Sequence, residues 1–382
     1  MRNNRGFALA LTLWILAALV VLAAGLGMMA RTEAQISRNF GDAIRCRWAA
    51  RAGVNAAVAE AAKLGGSPQT YLGEIGGTVS SEAQDVDLGE ASFEAQVQDE
   101  AGKVNINTAP RSVLEALFGS REIADCIVDW RDDDDQPEAL GAEARYYSGL
   151  RDPYRPRNGP FVTVGELLLV RGVTEELLSA PIGEDGRPLK DMLTVYSTDQ
   201  NVAVDGKERM DIRTAGRDQL KSRLGDVLTD QDLDDLVKWR DSRKPNSAGE
   251  VVLVQNLPRD KVERVYDRIT ASEKKTLPGL INVNTAPVDV LAALPGMDRS
   301  TAEDIVARRT QEGPYADVGA LLGVKTITAE VFAECADMLT VRSRVFEIAA
   351  TGRIGSDGPS RTVTCVVDVS KSDAARVIYW RE

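Results

Sequence analysis

The 382-residue chain contains no histidine. The commonest general acid/base and the commonest metal ligand are therefore missing, and any bound metal must be held by oxygen or thiolate. Basic charge is also short: 46 Lys and Arg stand against 58 Asp and Glu, a formal net charge of −12. Nucleic-acid binders normally carry a basic face, and anionic membrane surfaces attract basic segments, so neither suits the body of this chain. The four cysteines, Cys46, Cys126, Cys335 and Cys365, form no CxxC pair, which disfavours zinc. They read as buried thiols, with a Cys126–Cys335 bridge as the alternative if the body is exported. GxSxG, HExxH and phosphate-binding-loop motifs are absent, and the chain reads as a non-enzyme.

The most prominent feature present is an uncharged apolar run over residues 7–30. As a helix it would reach ~36 Å, enough to cross a ~30 Å hydrocarbon core. It is longer than a secretory h-region of about 7–15 residues. Arg2 and Arg5 precede it, so the positive-inside rule keeps the N-terminus cytoplasmic and exports the body of the chain. Apolar residues then recur at Ile36, Phe40, Ile44, Trp48, Val54 and Val58, the spacing of one helix face. Gly65, Gly66 and Pro68 are the expected stop.

The junction Arg5-Gly6-Phe7 resembles a type IV prepilin leader. That resemblance implies cleavage by a prepilin peptidase between Gly6 and Phe7 and methylation of the new amino group on Phe7. Most members of that family carry a glutamate at the fifth mature position, and here it is Leu11. The K subunit of type II secretion systems usually lacks this acid. A subunit at a filament tip has no neighbour above it whose terminal amine would need compensation within the membrane.

In the body, residues 85–98 alternate in part and read as a strand or hairpin. The same signal returns only at 345–350 and 362–369, around the turn-rich GRIGSDGPS. One antiparallel sheet split in sequence is the simplest architecture. The insert of about 105–342 carries repeats: VNINTAPRSVLEAL at 104–117, INVNTAPVDVLAAL at 281–294 and a weaker copy from Met210. IVDWR, LVKWR and IVARR come after them, and DMLTV appears at 191–195 and 337–341. Thr108 and Thr285 are the expected helix caps, each followed shortly by a proline. These are helix–hairpin–helix units. In DNA-binding versions a glycine-rich hairpin meets a phosphate, but Asp298 stands where the second glycine usually does. A membrane-anchored DNA receptor of competence type is the alternative function. The charge and the missing glycine argue against it.

Between the first repeat's helices and Phe161 lies an acidic stretch, Asp132-Asp133-Asp134-Asp135, followed by Gly141-Ala142-Glu143. It lacks the EF-hand glycine and glutamate, and a solvated loop is the plain reading. Adjacent carboxylates repel, and a hard cation would relieve them. The whole pattern of Asp-Trp, aspartate run, Gly-Ala-Glu, Tyr146-Tyr147, Pro153-Tyr154 and Asn158-Gly159-Pro160-Phe161 resembles the type II secretion minor pseudopilin K family. That resemblance implies a structural Ca²⁺ held by Asp132, Asp134, Asp135 and Glu143. The family often has an aspartate after Gly-Ala-Glu, where this chain has Ala144.

The expected fold is α+β: a pilin-like long N-terminal helix packed on a small antiparallel sheet, with a large inserted α-helical region of helix–hairpin–helix (SAM-like) repeats. The expected divisions are a leader at 1–6, a transmembrane part at 7–30 and a periplasmic helix with first strands at 31–104. Beyond these come an inserted domain with the acidic loop at 105–275, a second helix–hairpin–helix domain at 276–342 and C-terminal strands at 343–382. The resemblance further implies a single-pass inner-membrane protein with a periplasmic body. It implies I- and J-type minor pseudopilins as partners and a place at the tip of the type II secretion pseudopilus, with no nucleic acid.

Overall fold

A computed structural model describes residues 5–64, 78–82, 86–183, 185–370 and 375–382. The apolar run and the alanine-rich stretch behind it form one helix, α1 (Arg5–Leu64), of 60 residues. At ~1.5 Å per residue it is about 90 Å long. The expected stop at Gly65, Gly66 and Pro68 lies outside the described residues. Residues 7–40 of α1 are exposed throughout, and the helix is long and apolar enough to cross a membrane.

Packing starts at Cys46 and continues through Ala49, Ala50, Val54, Ala57 and Ala61. This corrects the expected stripe. Val54 is buried, but Ile36, Phe40 and Trp48 stay 60–67 % exposed. The physical reason is the closeness of the sheet. A Cβ on Gly352 would lie 2.1 Å from the Cys46 carbonyl oxygen, and one on Gly53 would lie 2.9 Å from the Phe93 ring. Only a face of small residues fits so near, and the large side chains rotate outward.

Among the described residues the sheet has five antiparallel strands in the order Thr78–Ser80, Ala91–Asp99, Val345–Ile354, Ser360–Asp368 and Arg376–Arg381. Ile348 pairs with Val97 on one side and Cys365 on the other, so the strands flanking the insert are direct neighbours. The reading of 85–98 is refined. The strand starts at Ala91, its partner is Thr78–Ser80, and Gly89 sits in a turn where its N–H reaches the Asp87 carboxylate at 2.8 Å. The last strand, Arg376–Arg381, is an addition to the expected sheet.

The insert leaves the sheet after Asp99 and returns at Val345. It holds three modules of one design. Each is closed by a short parallel bridge: Val104–Asn105 with Leu193–Thr194, Met210–Asp211 with Ile269–Thr270, and Ile281–Asn282 with Leu339–Thr340. Inside each module two helices pair: Arg111–Phe118 with Arg121–Arg131, Arg217–Leu224 with Asp230–Arg243, and Val288–Ala292 with Arg299–Glu312. The arginine of each WR or RR tag (Arg131, Arg240 and Arg309) donates back to a carbonyl of its own repeat, at Ile106, Ala215 and Val283. Asn107 exchanges two bonds with the Phe161 backbone, and Asn284 does the same with Tyr315.

The threonine caps are corrected. The residues flanking the helix starts are Pro110 and Pro287. Thr108 and Ala109 instead turn onto the Asn105 carbonyl, because the asparagine side chain already bends the chain at Asn107. Thr285 gives its hydroxyl to Asp99 at 2.6 Å. Asp99 is buried and also accepts from Ala101 N–H, Asn282 and Ser343. This carboxylate ties the sheet to the third module. Burial holds its pKa up, and the hydrogen bonds oppose that. The buried pair Asp199–Arg342, at 3.0 Å, ties the segment after the first module to the chain leaving the third. All four cysteines are buried free thiols.

Candidate metal centre

Ser120 caps the helix Arg121–Arg131 by accepting the Ile123 N–H. The last turn of that helix carries Asp129, and Asp132 stands at its C-terminal boundary. A spacing of three puts both carboxylates on one side. The loop then returns past Gly141. A Cβ there would stand 1.8 Å from Asp129 Oδ2, so glycine is required for the chain to pass this carboxylate. Two residues on, Glu143 precedes the helix Ala144–Ser148 without capping it through its side chain. It is 3 % exposed.

Ligand atoms of Asp129, Asp132 and Glu143 all lie within 4.8 Å of one another. Asp129 uses Oδ1 to accept the Glu138 N–H at 3.0 Å. Its Oδ2, Asp132 Oδ1 and both Glu143 oxygens are buried with no hydrogen-bond partner. Burial, followed by the charges of Asp129, Asp132 and Asp135, pushes Glu143 up to about 7. Asp129 and Asp132 are also raised, chiefly by burial. Among the described residues no side chain donates to these oxygens. The neighbouring Arg131 guanidinium attracts Asp132 but gives its hydrogen bonds to the Ile106 and Ala109 carbonyls, so the cluster keeps an excess of negative charge. An open cavity of 860 Å³ reaches it, lined by Asp135, Glu143, Arg145 and Tyr146 among others. Behind it Trp130 packs edge-on to Tyr147 at 5.3 Å and stacks on Phe161 at 6.2 Å, a rigid floor for the loop.

Of the residues expected from sequence, the structure brings Asp132 and Glu143 together. Asp134 and Asp135 are exposed. The Asp134 carboxylate accepts the Gln136 N–H at 2.7 Å, and that of Asp135 accepts from Asn158 at 3.1 Å. Asp129 is the member that sequence reasoning missed. Its signal was present in the Asp-x-x-Asp spacing at a helix end and in Gly141, but only the helix boundary makes them meaningful. Gly6 and Phe7 lie in the first turns of α1, and Phe7 is exposed.

Residues 100–180 match the family model of type II secretion system protein K, and residues 279–340 match a helix–hairpin–helix motif. No curated protein sequence matches the chain. Among solved structures, a chain of the GspK–GspI–GspJ complex from the enterotoxigenic Escherichia coli type 2 secretion system matches with a TM-score of 0.54 at 14 % identity. The match covers 92 % of this chain and 98 % of that one. It bears out the fold: the long helix, the split sheet and the helical insertion.

Proposed function

We infer, from the protein K model over residues 100–180, that this chain is a minor pseudopilin of a type II secretion system. The observation that carries the reading is α1, exposed and apolar in its first half and packed on the sheet in its second. The first half suits a single-pass anchor, and the second makes the body rigid with it. The role is structural. The anchor crosses the inner membrane with the leader in the cytoplasm and the body in the periplasm. Other minor pseudopilins of the I and J types are its neighbours at the filament tip, a reading supported by the likeness to a GspK–GspI–GspJ complex.

Processing tests this. A prepilin peptidase is expected to cut after Gly6 and leave a methylated Phe7. Mass spectrometry of protein from cells holding the peptidase should show that terminus, and substituting Gly6 should abolish it while insertion persists. An intact Met1 end, or a cut near Ala30, would sink the reading.

The competence-type alternative meets a physical obstacle. Asp298 caps the helix Arg299–Glu312 by accepting the Thr301 N–H at 2.7 Å, and Ser120 and Thr229 fill the matching positions in the other modules. At each of these helix starts, where a phosphate would bind, one N–H is already taken, in one module by an anion. Residues 31–382 are expected to bind duplex DNA no better than an acidic control at ~100 mM salt, by fluorescence anisotropy. Salt-dependent micromolar binding would reverse that.

For the metal centre we propose a structural Ca²⁺ held by Asp129, Asp132 and Glu143, with Asp134 and Asp135 close by. Hard oxygen donors, the absence of histidine and the unpartnered buried oxygens fit that ion. Its charge would join the end of the helix Arg121–Arg131 to the returning loop.

A further inference from the structure

The acidic loop is closed from its far end by one side chain. Asn158 has φ 44°, a left-handed conformation that asparagine tolerates better than most residues. Its Nδ2 donates to the Asp134 carbonyl at 2.7 Å and to the Asp135 carboxylate at 3.1 Å. Both partners are acceptors only, so the amide cannot be turned over, and Oδ1 is free of them. That oxygen is buried and has no hydrogen-bond partner. The next residue fixes the place. Gly159 donates its N–H to the Trp130 carbonyl at 3.3 Å, which sets Asn158 beside the helix end bearing Asp129 and Asp132.

We propose that Asn158 Oδ1 is a neutral oxygen ligand of the cation held by Asp129, Asp132 and Glu143. The proposal rests on the reading of that cluster as a cation site. Calcium takes six to eight oxygens, and an amide adds one without adding charge to a crowded set of carboxylates. The two Nδ2 bonds orient the amide and draw Asp134 and Asp135 toward the ion.

Two substitutions in the full chain, held in detergent and stripped with chelator, separate these roles. Asn158→Gly keeps the backbone conformation and removes the amide. Asn158→Asp keeps an oxygen and removes both N–H donors. Calorimetric titration with Ca²⁺ should show Asn158→Gly weaker by about tenfold or more, and Asn158→Asp close to wild type or tighter. Terbium luminescence lifetimes in H₂O and D₂O should count one more bound water in Asn158→Gly. Unchanged affinity and water count in Asn158→Gly overturn the proposal. So does equal weakening in both variants, which would leave only the N–H clamp. No calcium binding to the wild-type chain removes the cation site itself, a separate failure.

Discussion

Saturating calcium should raise the unfolding temperature of the chelator-stripped chain by about 5–11 °C. Binding at ~100-fold over the dissociation constant adds ~2.7 kcal/mol to the folded state, and each kcal/mol shifts a domain of this size by about 2–4 °C. Magnesium should substitute poorly, since it needs a tighter octahedron. The response should depend on pH in a defined direction. Asp129, Asp132 and Glu143 all have carboxyl pKa values raised in the folded chain, Glu143 from 4.5 to about 7. A raised acid holds a proton in the folded state that the unfolded state releases. Its stability is therefore full below the unfolded pKa and lost as pH climbs toward about 7. The ion-free chain should weaken between about pH 4.5 and 7, and the calcium gain should grow over the same window. Glu143→Gln should abolish the gain and, without calcium at pH 8, unfold above ion-free wild type. Asp129→Asn, and Asp132→Ala with Asp134→Ala, should also abolish it. If stripped wild type binds no calcium up to millimolar concentration, the acidic run is a solvated loop.

Gly352→Val should undock α1 from the sheet, with a loss of about 4–5 kcal/mol or more. The new Cβ would meet the Cys46 carbonyl oxygen at 2.1 Å and the Ala50 nitrogen at 2.5 Å. Both are helix backbone, so no side-chain rotation relieves the overlap. Moving the helix away uncovers Ala50, Val54, Ala57, Phe93 and Ile348, which form one apolar core. It also breaks the Cys46 Sγ bond to the Pro359 carbonyl at 2.9 Å. The modules of the insert have their own core, so the calcium response should survive in this variant. Urea denaturation of the variant, followed by limited proteolysis in α1, checks both statements. A wild-type midpoint would show that the helix–sheet contact is looser than it looks.

The elements legible in the sequence are those whose physics is local. Hydropathy marks α1. Alternation and the Gly/Pro/Ser turn mark the hairpin of Val345–Ile354 and Ser360–Asp368. Self-similarity marks the modules. Asp132 and Glu143 stand out by residue type and by family likeness. The strand Arg376–Arg381 escapes notice because its apolar run is short and its outer residues remain exposed.

Composition excluded histidine chemistry and spoke against nucleic acid as a partner, and one long apolar run determined where the chain can cross a membrane. The tertiary structure decided which face of α1 is buried. The close approach of helix and strand backbones at Gly352 selects small residues over the larger apolar ones that spacing favours. It also decided which carboxylates gather. Asp129 enters the cluster because the loop folds back at Gly141 onto the helix end, while Asp134 and Asp135 turn toward backbone and Asn158. Adjacency in a run of aspartates says that charge must be relieved, and only the path of the chain in space says which oxygens are left buried without a partner.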